Sequence, residues 1–112
     1  MNPEVKKLWV EALRSGKYKQ GKSRLRRGGE YCCLGVLCDI SGLGEWEGDD
    51  YVTTEAYGYR SADLPPAVEK WAGLKDSFGG QVSFNGIDRD LAYHNDVGRT
   101  FAEIADTIEA QL

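Results

Sequence analysis

Residues 31–42, YCCLGVLCDISG, are apolar on nearly every side, and a chain of 112 residues has room for only one hydrophobic core in which to hide them. The segment must therefore be the centre of the molecule, with every other element arranged to cover it. Periodicity does not separate helix from strand in so uniform a run. We read it as a short buried helix from about Cys32 to Ile40, closed by Gly42. Gly35 inside a helix costs about 1 kcal/mol relative to Ala, which makes sense where another stretch of backbone must come close.

The covering elements are legible at both ends. Val5, Leu8, Trp9, Ala12 and Leu13 form one apolar stripe at helical period, with Asn2 suited to the N-cap, Pro3 to the first helical position and Gly16 to the position after the C-cap. The closing RTFAEIADTIEAQL is a second amphipathic helix, with Phe101, Ile104, Ala105, Ile108 and Leu112 as its buried stripe and Thr100 and Glu103 as a capping box. Between them, Pro65 and Pro66 open a short helix that turns Val68 and Trp71 inward and ends at Gly73. QVSFNGI predicts a hairpin turning at Asn85-Gly86. The middle, residues 42–60, reads as a loop followed by a strand near Tyr51 to Thr54, and NDVG before the last helix reads as a turn with Gly98 at positive φ. The fold expected is a single small α+β domain spanning 1–112: amphipathic helices at both termini, a buried central CCLGVLC helix and a small antiparallel sheet.

Charge is divided along the chain. Residues 1–27 hold nine basic and two acidic residues, whereas 28–112 hold five basic and sixteen acidic ones. Lys17, Lys19, Lys22, Arg24, Arg26 and Arg27 crowd one extended stretch that ends in the turn formers Gly28 and Gly29. Two consequences are open: an anionic partner for the basic part, or attraction between the two parts within one fold.

Three cysteines without a spaced framework make a poor disulfide scaffold and are read as reduced thiols acting as small apolar side chains. No apolar run approaches the roughly 20 residues that span a bilayer, and the N-terminus lacks the h-region of a signal peptide. The expected setting is the cytoplasm, with no membrane association.

The side chains offer several chemistries. Cys32 or Cys33 at a helix N-terminus, with His94 as the only histidine and Asn95 or Asp96 to orient it, gives the Cys, His, Asn order of papain-like thiol hydrolases. Apolar neighbours on both sides of the thiols speak for inert packing instead. CCLGVLC lacks the paired spacing of a zinc site, so no metal ligand set is expected, and no cofactor. Carboxylates at Asp49-Asp50 and in GIDRDLAYHNDVG are ordinary for a chain with eighteen acids. The basic stretch is the better candidate: Arg by bidentate hydrogen bonds and Tyr18 by stacking can hold an anion. Long double-stranded nucleic acid is disfavoured, because the acidic remainder would repel it.

ALRSGKYKQGKSRLRRGGEYCCLGVLCD, LPPAVEKWAGL and NDVGRTFAEIADTIE together resemble a family of small proteins of bacteriophages, prophages and bacterial genomes. Its blocks are a G-x-Y-x-Q segment leading to CCLGVLC, an LP-x-x-V-x-x-W block and an ND-x-G-x-[ST]-F-x-E-I-A-D ending, and a related actinobacterial domain of unknown function follows a similar plan. The resemblance implies a phage-type accessory protein, and it places His94 outside the shared pattern.

The function expected is thus a non-enzymatic binding protein of phage or prophage type, a host-defence antagonist that sequesters a small nucleotide-like anion or binds a host protein. Tyr18, Gln20, Arg24, Arg26, Asn95, Asp96 and Arg99 would line the site between the basic segment and the HNDVGR stretch. The alternatives are a thiol hydrolase using Cys32 or Cys33 with His94, and an interaction protein without a small ligand.

Overall fold

The computed structural model describes residues 1–54 and 59–112; positions 55–58 of the middle stretch lie outside the described residues. The helices are α1 (Pro3–Arg14), α2 (Cys33–Ser41), α3 (Pro66–Ala72), α4 (Leu91–Asp96) and α5 (Phe101–Gln111). The strands are β1 (Lys19–Gln20), β2 (Arg26–Arg27), β3 (Glu30–Tyr31), β4 (Gly44–Glu47), β5 (Asp50–Thr53), β6 (Tyr59–Arg60), β7 (Gln81–Phe84) and β8 (Ile87–Asp90).

The apolar segment is the buried helix α2, whose residues from Cys33 to Cys38 are all buried. Cys32 serves as its N-cap rather than its first residue, and Gly42 closes it at φ +64°. Helix α1 lies against both α2 and α5. Trp9, fully buried, donates from its indole Nε1 to the Cys33 carbonyl oxygen at 2.9 Å, tying α1 to the first turn of α2. Val5, Leu13, Ile104, Ala105 and Ile108 fill the space between the terminal helices. Burying side chains of this size contributes about 1.5–3 kcal/mol each.

Local chemistry sets the element ends. Asn2 Oδ1 accepts from the amides of Glu4 and Val5 at 2.9 and 3.3 Å, and the Thr100–Glu103 capping box is formed in both directions. Asn85 (φ +49°) and Gly86 (φ +83°) make the two-residue turn between β7 and β8.

Among the described residues, the antiparallel pairing expected from the sequence is distributed over three small sheets. In the first, β3 lies between β1 and β2, and the β1–β3 pair is parallel. The second is β4–β5–β6, and the third is the β7–β8 hairpin. Two expectations require correction. Residues 44–47, read as loop, form β4, because pairing with β5 places Trp46 opposite Tyr51 and satisfies a backbone that alternates exposed Glu with partly buried Trp. Residues 91–96, read as loop and turn, form α4: Asp90 caps it by accepting from the Tyr93 amide at 2.7 Å, and Leu91, His94 and Asn95 fall on its buried side. Gly98 does take positive φ, at +103°. Among the described residues, no helix is long and apolar enough to cross a membrane.

Candidate functional site

The residues expected to line a site fall into two groups with different partners. The first is built on Gln20 and Asn95. Gln20 leaves the end of β1 with its side-chain Nε2 donating to Asn95 Oδ1 at 2.9 Å and to the Arg99 carbonyl at 2.7 Å, while its Oε1 accepts from the Phe101 amide at 3.1 Å. Asn95, fully buried on α4, also accepts from the Cys33 amide at 3.2 Å. Its Nδ2 donates to the Gly21 carbonyl at 2.9 Å and to Asp96 Oδ1 at 3.2 Å. Asp96 Oδ1 in turn accepts from the Ser23 amide at 2.8 Å, where Ser23 sits at φ +69°. Cys33 and Phe101 are the first residues of α2 and α5, and helix geometry leaves such amides without an intrahelical acceptor. Gln20 and Asn95 thus supply the missing acceptors for two helices while locking the basic segment to α4. Every polar atom of both amide side chains is engaged within the protein. Arg99 joins this group through its carbonyl only; its guanidinium lies 5.0 Å from the Phe84 ring centroid and 3.8 Å from Glu103.

The second group is aromatic and charged. Tyr18, Tyr31, Trp46 and Tyr51 meet edge to face in series, with centroid separations of 5.0, 5.7 and 4.9 Å. Such contacts contribute about 0.5–1.5 kcal/mol each beyond area burial. Asp39, at the solvent side of α2, bridges the series: its carboxylate accepts from the Tyr18 hydroxyl at 2.5 Å and from the Trp46 indole at 3.0 Å. Burial and the Asp39 carboxylate together raise the Tyr18 phenol above the usual tyrosine range. Arg26 places its guanidinium 4.9 Å from the Trp46 ring centroid and donates from Nη2 to the Gly48 carbonyl at 3.0 Å. Among the described residues its Nε is buried without a hydrogen-bond partner, with Asp49 at 3.9 Å. Arg24 stands 3.8 Å from Asp50. Tyr18, Arg24 and Arg26 therefore face Asp39 and the tip of the β4–β5 hairpin, not Gln20 and Asn95.

Asp39, Trp46 and Gly48 are partners absent from the sequence reading, and Asp49 and Asp50 appear there only as ordinary acids. The signal for those at 46–50 was the alternation of acids with Trp in GEWEGDD, opposite in charge to RLRR. Of the two consequences open from the charge division, ion pairs between the two parts are present: Arg14 reaches Asp106 at 2.6 Å and Glu109 at 3.1 Å, and Lys19 reaches Glu30 at 3.4 Å. Lys17, Lys22 and Arg27 are exposed and make no ion pair among the described residues.

The thiol hydrolase arrangement is not assembled. Cys32, Cys33 and Cys38 are all buried. Desolvation raises the Cys32 thiol to about 11, although its sulfur accepts from the Gly35 amide at 3.4 Å at the helix N-terminus. Burial likewise holds Cys33 and Cys38 well above the usual range. Cys33 Sγ is directed to the Leu91 carbonyl at 3.8 Å, and His94 Nε2 is engaged with the Val82 carbonyl at 3.2 Å. A thiol activated for attack needs the opposite conditions: access, a lowered pKa and a hydrogen bond to its base. Among the described residues, no three His, Cys, Asp or Glu side chains are placed to hold a metal ion.

A cavity of about 410 Å³ is an open groove along α1 bounded by Pro3, Lys6, Lys7, Val10 and Arg14, with Glu109 from α5. A second, about 280 Å³, lies beside Tyr18, Leu8, Lys17 and Ile40. Neither is lined by Gln20 or Asn95.

These features define a small α+β domain organised round a dry thiol-bearing helix, closed by an amide clasp and edged by a basic segment. The chain belongs to the family described as Domain of unknown function (DUF8296), whose model matches residues 1–112. No curated protein and no solved structure matches it.

Proposed function

We propose that this protein is a non-enzymatic binding protein that acts through its basic edge on an acidic surface of another protein. The observation that carries this reading is the division of labour among the polar residues. Every side-chain polar atom of Gln20 and Asn95 is engaged inside the fold, while Lys17, Lys22 and Arg27 remain exposed and Arg24 and Arg26 hold acids at 3.8 and 3.9 Å. A nucleotide-like ligand needs donors converging on one phosphate. Cations spread over residues 17–27, in and around β1 and β2, suit a broad acidic face, where many weak attractions steer and orient a partner. The buried thiols, raised in pKa, fit packing and not reaction.

The likeness of the three sequence blocks to phage and prophage proteins supports an accessory role against a host component, which makes a cytoplasmic host protein the natural partner. The three reduced cysteines fit that compartment.

The test is binding at low ionic strength to a short fluorescein-labelled poly-glutamate peptide, with a panel of nucleotides and cyclic nucleotides in parallel. Binding of the peptide that weakens with salt and is lost in a Lys22→Glu, Arg27→Glu double variant is the expected result. Binding confined to a nucleotide replaces the protein-surface reading with the small-anion one. No binding by either class, in a folded protein, overturns both.

A further inference from the structure

The acidic hairpin tip already sits where an acidic partner would. Asp49 and Asp50 follow Gly48 at the turn between β4 and β5 and stand against Arg26 and Arg24. The fit is incomplete. Both carboxylates stop at 3.9 and 3.8 Å, beyond hydrogen-bond distance, and Arg26 Nε is left buried with no acceptor among the described residues. The guanidinium is held otherwise by the Nη2 bond to the Gly48 carbonyl and by its approach to the Trp46 and Tyr31 rings. A buried cationic donor without an acceptor is costly, and a charge-assisted hydrogen bond to it is among the stronger interactions available.

The base of the hairpin is firm where the tip is not. Tyr51 is buried, and its hydroxyl bonds the Gly44 amide at 2.8 Å and lies 3.1 Å from Ser41 Oγ. Trp46 is tied to Asp39. Among the described residues, the tip, whose ends Glu47 and Asp50 form the last rung of the β4–β5 pairing, meets the rest of the fold through Arg24 and Arg26, so it can lift as one piece while the base of the sheet stays in place.

We propose that this tip is a tethered competitor: Asp49 and Asp50 occupy Arg26 and Arg24 until a carboxylate-rich partner surface displaces them and satisfies Arg26 Nε. This regulation rests on the basic-edge reading above. It predicts that the free protein binds acidic partners more weakly than its cations alone would, with opening of the tip as the step that confers selectivity.

The experiment uses the full chain and the labelled poly-glutamate peptide. An Asp49→Asn, Asp50→Asn double variant is compared with wild type and with an Glu11→Gln, Asp88→Asn variant that removes the same charge at exposed positions away from the tip. The expected result is peptide binding at least about threefold tighter in the tip variant than in the charge-matched control, as release of two surface ion pairs allows. Amide hydrogen exchange of residues 47–50 in wild type should also quicken when peptide is added. Equal affinity in the tip variant and the control, with wild type binding the peptide, overturns the competitor while leaving the basic edge intact. Peptide binding that slows or leaves unchanged the exchange of residues 47–50 overturns it as well. Failure of every variant to bind ends the basic-edge reading and the competitor together.

Discussion

The carbonyl oxygen of Leu25 lies so close over Gly35 that a Cβ added to the glycine would stand 1.7 Å from it. Leu25 itself is fully buried, and the same carbonyl accepts from the Cys32 amide at 3.2 Å. The basic segment is thus pressed onto the central helix at the one residue without a side chain. Gly35→Ala should destabilise the fold by about 2 kcal/mol, an overpacking penalty of about 3 kcal/mol offset by about 1 kcal/mol of helix propensity. The check is the urea midpoint, and a midpoint at or above that of wild type would show that the two segments do not meet as described.

Gln20 and Asn95 should behave as one unit. Gln20→Ala and Asn95→Ala each leave buried backbone groups without partners, at an expected loss of about 2 kcal/mol apiece. The double variant should lose less than the sum by about 1 kcal/mol, because the bond between them is removed once, not twice. Strict additivity in a double-mutant cycle would mean that the two amides act separately.

Alkaline pH should weaken the fold. Cys32 is raised from 9.0 to about 11 in the native state, and Cys33 and Cys38 are raised as well. Between about pH 9 and 11 the unfolded chain therefore holds fewer protons than the native one, so stability is full below that window and falls as pH rises through it. Denaturant melts across the window, repeated with Cys32→Ala, check this: the variant should show a shallower fall. At neutral pH, alkylation of native protein by iodoacetamide should be slow and should follow unfolding; rapid selective labelling of Cys32 or Cys33 would revive the nucleophile.

Asp39→Ala should remove the acceptor shared by the Tyr18 hydroxyl and the Trp46 indole. A loss of about 1–2 kcal/mol is expected for two hydrogen bonds to a charged group at a partly exposed site, together with a change in the near-ultraviolet circular dichroism of the aromatic series. An unchanged aromatic spectrum would show that the series is held by packing alone.

The terminal helices were legible because stripe, cap and stop signals agree within one short window, as at Asn2 and Gly16 or Thr100 and Glu103. The buried helix was legible from its apolar run, and Gly35 marked the close approach. The amide clasp was half visible. Gln20, Asn95, Asp96 and Arg99 were grouped by their place beside the basic segment, but grouping cannot tell a ligand's partners from the backbone's. That distinction lay in the amides of Cys33 and Phe101, which are exposed as needy only once helix ends are known. Helix α4 and strand β4 escaped because each is too short to show a period, and long-range pairing decides both. Tyr18, Arg24 and Arg26 went to a different neighbourhood because the acids that draw them lie some twenty residues on, Asp39 on the solvent side of the buried helix and Asp49 and Asp50 in a stretch read as loop.

The Asn95 side chain joins positions 21, 33 and 95, and Gln20 carries the connection on to Phe101. Closing such long loops is slow compared with forming a helix. During synthesis the first helix and the apolar segment emerge long before their acceptor does, so the opening amide of α2 and the Gly21 carbonyl wait for the last fifth of the chain. Folding of this protein is consequently set to finish in one late step, when the C-terminal stretch arrives and latches what came before it.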